Sequence, residues 1–100
     1  MNEYILLMHQ DALDTDAADD PKMWAGYITQ LRGTGHFDGG SSIGHGERFR
    51  KDKLSEPSEN VLGGYIRVRA VSLESAKRFL PGNPVYEAGG TVEIRELPRT

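Results

Sequence analysis

The chain has 100 residues, a net charge of −3 and a sequence pI near 5.5. That length is one domain, residues 1–100, with a modest core. The charge lacks the basic footprint of a nucleic-acid binder. Cysteine is absent, which excludes disulfides, thiolate nucleophiles and Cys-ligated metal centres. No apolar run approaches a membrane span, and the first ten residues carry Glu3 where a signal peptide is basic. A cytoplasmic protein with no membrane partner is expected.

Glu3 to His9 is a short apolar run without Gly or Pro and reads as a buried strand. Residues 10–20 hold five Asp and read as a solvated loop. Asp20-Pro21 is a helix start, an N-cap carboxylate followed by Pro at the first helical position. Trp24, Tyr27, Ile28 and Leu31 recur at helical spacing, so one face packs inward; Gly33 and Gly35 end the helix. Phe37 to Ile43 reads as a strand broken at Gly39-Gly40. Glu47 to Lys53 is expected to pair back on it through the Gly44-His45-Gly46 turn. Residues 54–60 are polar, with Pro57 as a breaker.

Leu62 to Ala70 alternates, with Ile66, Val68 and Ala70 on one face and Tyr65, Arg67 and Arg69 on the other. Ser72 caps a helix with apolar positions at Leu73, Ala76, Phe79 and Leu80, stopped by Pro81-Gly82. A loop leads to a last strand, Thr91 to Leu97, with Val92 and Ile94 opposite Thr91, Glu93 and Arg95. The order β-α-β-β-β-α-β is the ferredoxin-like α+β plan with an extra strand. One sheet face is then polar, and Arg67 or Arg69 is expected to pair with Glu93 across strands.

Four segments in order resemble the YCII-related family in its DGPF branch. They are Tyr4-Ile-Leu-Leu-Met-His, Leu31-Arg-Gly-Thr-Gly followed by Gly39-Gly40, Leu62-Gly-Gly-Tyr65, and Gly90-Thr-Val-Glu93-Ile-Arg95. The resemblance spans nearly the whole chain and implies a dimeric α+β barrel, a homodimer whose two sheets enclose a shared interior. It also implies a possible protein partner, because the branch is associated with sigma factors. Its DGPF motif falls on Asp52-Lys53-Leu54-Ser55 and keeps only the Asp. The family's proposed acid–base dyad falls near Met23 and on Asn83, neither of which titrates near neutral pH.

His9 and His36 each begin a His-x-Asp pair, with Asp11 and Asp38. Two such pairs contain enough donors for a metal, but the pattern arises readily in an Asp-rich chain, and no metal site is assigned. His9, at a strand end, is the candidate acid or base, assisted by Asp38 or Asp11. Gly39 to Gly44 lacks the spacing of a phosphate-binding loop and reads as a bulge. Arg67, Arg69 and Arg95 are candidate clamps for an anion. Trp24, Ser41 and Tyr65 are further candidate ligand-binding residues, and Trp24 or Tyr27, core residues at helical spacing, could also wall a pocket. No nucleotide, haem or thiol motif is present, so no cofactor is expected.

Three functions follow. The first is an accessory homodimer that binds a small anionic ligand. The second is a cofactor-free lyase or isomerase using His9. The third is an interaction module linked to transcription regulation.

Overall fold

In the computed structural model, which describes residues 1–99, the first strand lies inside the sheet. β1 (Asn2–His9) is flanked by β5 (Leu62–Ala70) and β6 (Val92–Leu97), and β2 (Phe37–Ser42) lies outside β5. The resulting order β2-β5-β1-β6, with every neighbouring pair antiparallel, is compatible with a ferredoxin-like α+β fold. Sheet pleating explains the composition of β1. Tyr4, Leu6 and Met8 point into the core, whereas Glu3, Ile5, Leu7 and His9 point to the opposite face.

α2 (Pro21–Gly33) supplies much of the covering layer. Its start matches the sequence: Pro21 opens it, and the Asp20 carboxylate accepts from Lys22 N–H at 2.9 Å. Tyr27 and Leu31 are buried, and Trp24 and Ile28 pack at the margin of the core. The other core contributors are Ala18 just before α2, Ile66, Val68 and Ala70 from β5, and Ala76, Phe79 and Val85 from the segments that follow. The molecule measures 46 × 38 × 19 Å. The short dimension fits one layer of helices, each about 10 Å across, on one sheet. Among the described residues, no helix covers the second sheet face.

Four expectations need correction. Residues 10–20 contain a short helix, α1 (Thr15–Ala18), because the Asp14 carboxylate caps it through Ala17 N–H at 3.0 Å. Glu47 to Lys53 does not pair with the Phe37 strand. Only Glu47–Arg48 is extended, as β3, and it pairs with β4 (Glu56–Pro57) in a separate hairpin. Pro57 is admitted because this small ribbon consists of edges alone. The helix after Ser72 is α only over α3 (Leu73–Ala76), then tightens to a 3₁₀ turn at Lys77–Phe79. The loop around Pro84 is helical as α4 (Pro84–Glu87), capped by Asn83.

β2 carries the bulge expected at its glycines. Its register shifts between Phe37 and Gly40, and Gly39 has φ +96°. At Gly40, a Cβ would sit 2.3 Å from the Tyr65 carbonyl oxygen. Glycine is required there because the two backbones approach too closely for any side chain.

Candidate functional site

A cavity of about 820 Å³ forms a groove between α2 and the β2–β5 side of the sheet. Its helical wall is Trp24, Ile28 and Arg32. These positions are four residues apart, so they form one stripe along α2. Gly39, Gly40, Ser41 and Ser42 from β2 line it with Gly63, Gly64, Tyr65 and Ile66 of the β5 segment. Small residues leave this part of the sheet low, and the groove is the space that larger side chains would fill.

Strand register gives the groove a direction. Ser42 pairs with Gly64, and Gly64 with Met8, so the end of β2 shares a rung with the end of β1. Trp24 lies at that same end, its indole N–H donating to the Ala18 carbonyl at 2.6 Å. His9, Gln10 and Asp19 also line this end. Arg32 is in the last turn of α2, one short connection before Phe37, and those two mark the opposite end. The distance along α2 from Trp24 to Arg32 is about 12 Å at 1.5 Å per residue.

Among the predicted site residues, Trp24 and Ser41 line this groove, and His9 and Tyr65 border it from strands whose alternation turns their side chains to the other sheet face. Asp38, Arg67, Arg69 and Arg95 do not. Arg69 Nε is 2.9 Å from Asp38 Oδ2, and its guanidinium also donates to the Gly35 carbonyl at 2.7 Å. Arg67 reaches Glu3 at 3.3 Å, and Arg95 pairs with Glu93. The expected pairing of Arg67 or Arg69 with Glu93 does not occur. β1 stands between β5 and β6, which places Ile5 opposite Arg67 and Leu7 opposite Glu93. These arginines belong to the uncovered sheet face.

His9 Nε2 is 2.9 Å from Glu93 Oε1. An ionised carboxylate only accepts, so this bond places the proton on Nε2 and leaves Nδ1 as the acceptor of the neutral ring. The His9 hydrogen bond, then the Arg95 hydrogen bond, holds the Glu93 carboxyl below its usual range. Asp38 is thus not the partner of His9, and neither is Asp11. Asp11 accepts from the Thr91 hydroxyl at 2.6 Å and from Thr91 N–H at 2.7 Å, bonds that lower its pKa.

Met23 and Asn83 have separate roles. Met23 is 41% exposed, whereas Asn83 is fully buried. Asn83 Oδ1 accepts from Val85 N–H at 3.0 Å and Tyr86 N–H at 3.1 Å. A smaller recess of about 330 Å³ is lined by Tyr27, Gln30, Thr34, His36 and Arg78 among others. His36 therefore lies away from His9, and the two His-x-Asp pairs do not converge.

Sequence reasoning missed Arg32 and the Glu93 partner of His9. Arg32 was legible as the third member of the Trp24, Ile28 stripe. Glu93 lies 84 positions from His9 and is brought to it only by the β1–β6 register. No protein-family model matches the chain, and no match is found among curated proteins. Among the described residues, no helix is long and apolar enough to cross a membrane.

Proposed function

We propose that this chain is a YCII-like cytoplasmic homodimer that binds a small anionic ligand in an accessory role. The observation that carries the reading is the groove of about 820 Å³, within the size of pockets that enclose small molecules. It combines an apolar wall, Trp24, Ile28 and Phe37, with a few polar groups at its ends. The uncovered sheet face supports the homodimer. Ile5, Leu7, Tyr65 and Leu97 are only half-buried there, and paired charges surround them. A second sheet placed on this face would form the barrel that the family resemblance implies.

The reading is tested by amide NMR with a library of small acids, bases and neutral fragments. Shifts confined to Trp24, Ile28, Ser42 and Gly64, abolished by Ser42→Leu, are expected. A library that perturbs no groove residue would refute it.

One observation favours a second reading, a cofactor-free lyase or isomerase. His9 is held by Glu93, itself held by Arg95, which is the arrangement of a base oriented by a carboxylate. In that case a small molecule reaching His9 on the uncovered sheet face would be consumed by the protein. His9→Ala would stop turnover while leaving ligand affinity within about threefold. Equal turnover would remove His9 from the chemistry.

A further inference from the structure

We infer that the groove takes an elongated organic acid, with its anionic head at Arg32 and its apolar body running along Ile28 to Trp24. The inference rests on the groove being a ligand site and adds the polarity, length and head group of its occupant.

The cation comes first. Four arginines were candidates or neighbours of the site, and three of them already hold a carboxylate: Arg67 with Glu3, Arg69 with Asp38, Arg95 with Glu93. Arg32 lines the groove, and no ion pair engages it among the described residues. Its planar fork suits two oxygens of one carboxylate. The C-terminal end of α2 carries about half a negative charge, and the full charge of Arg32 exceeds it.

The length follows from the helix. Trp24 and Arg32 are eight residues apart, about 12 Å along the axis. The space between is bounded by Ile28 and Phe37 on one side and by glycine backbone, Ile66 and Met8 on the other. Such a channel accepts an unbranched or flat apolar body and offers it little to hydrogen-bond. With carbon–carbon bonds near 1.5 Å, an extended chain of roughly eight to ten carbons fills this span. Among the described residues, the only carboxylate lining the groove, Asp19, precedes α2 and lies at the Trp24 end. It disfavours a second negative charge there and so favours a monoanion.

Trp24 is the sole tryptophan, which makes its emission a reporter of the far end of the groove. The experiment titrates the intact protein with butyrate, hexanoate, octanoate and decanoate, and with octan-1-ol as the neutral control. It follows Trp24 fluorescence and the amide NMR shifts of groove residues. Affinity is expected to rise two- to fourfold per added methylene up to about octanoate, the increment for burying one such group, and then to level off. Octanoate is expected to bind at least tenfold more tightly than octan-1-ol. Arg32→Gln removes that preference, and Arg32→Lys retains part of it. An unchanged amide spectrum elsewhere establishes that both variants are folded.

Equal binding of octanoate and octan-1-ol, unaltered by Arg32→Gln, would overturn the head-group assignment and leave the groove as a ligand site. Affinity independent of chain length would overturn the assigned body. No groove shift from either the acids or the alcohol would overturn the inference. The wider fragment library then decides separately whether the groove is a ligand site at all.

Discussion

Asn83 is fully buried, and its side-chain oxygen satisfies two N–H groups at the start of α4. Those donors have no helical partner of their own, so Asn83→Ala strands them away from water. A loss of about 2 kcal/mol in urea unfolding is expected, with Asn83→Ser recovering part of it as a shorter cap. Tyr27 is linked to the same corner. Its hydroxyl donates to the Phe79 carbonyl at 2.6 Å, and burial raises its pKa above the ordinary phenol value. Tyr27→Phe should cost roughly 1–2 kcal/mol by leaving that carbonyl without its donor.

The carboxylates give a second check at this scale. Asp11 and Glu93 both have lowered pKa values in the folded chain, through Thr91 and through His9 with Arg95. As pH falls, the unfolded chain takes up these protons first, so the stabilisation is present at neutral pH and fades below the ordinary carboxylate value. Urea midpoints should therefore drop from about pH 5 towards pH 3. The decline should be shallower in Asp11→Asn and Glu93→Gln, which have no carboxyl to protonate. Identical slopes would remove these two contacts from the acid response.

Among the elements, β2 depends on its glycines and α2 on its stripe. Gly40→Ala would place a methyl 2.3 Å from the Tyr65 carbonyl, and the strand must leave β5 to relieve it. A cost on the order of 2 kcal/mol is expected, with loss of amide protection confined first to Phe37–Ser42. A Cβ at Gly44 meets nothing within 4 Å, so Gly44→Ala serves as the near-neutral control. The same distinction explains why β2 was legible in outline and not in pairing. Gly39-Gly40 signals a bulge, but the partner strand, β5, comes after the whole β3–β4 hairpin. The local Gly44-His45-Gly46 turn points to the wrong partner, because nothing in a turn's composition reports a strand twenty residues away.

For the whole molecule, the sheet has one face in the core and one without a helix. A homodimer closed on that face predicts a light-scattering mass near twice 11.1 kDa at micromolar concentration. Leu7→Glu places a charge in the middle of this face and should shift the mass towards the monomer, with unchanged secondary structure by circular dichroism. A wild-type mass near 11 kDa would remove the homodimer from the proposal. The β3–β4 hairpin projects Phe49 and Leu54, 76% and 93% exposed, so it is stabilised by little besides its own ribbon and the Arg48–Glu56 pair.

Local pattern alone made legible the strands at Glu3–His9, Leu62–Ala70 and Thr91–Leu97, the start of the long helix at Asp20-Pro21, and the sorting of β5 and β6 into apolar and polar faces. These depend on pleat, helical period and capping, which act within a few residues. Which carboxylates Arg67, Arg69 and Arg95 meet, and that Arg32 lines the groove, came from the tertiary structure. It also decided that His9 is oriented by Glu93 and not by Asp38. Both depend on strand order and register between segments far apart in the chain, and alternation within one strand specifies two faces without saying what each of them meets.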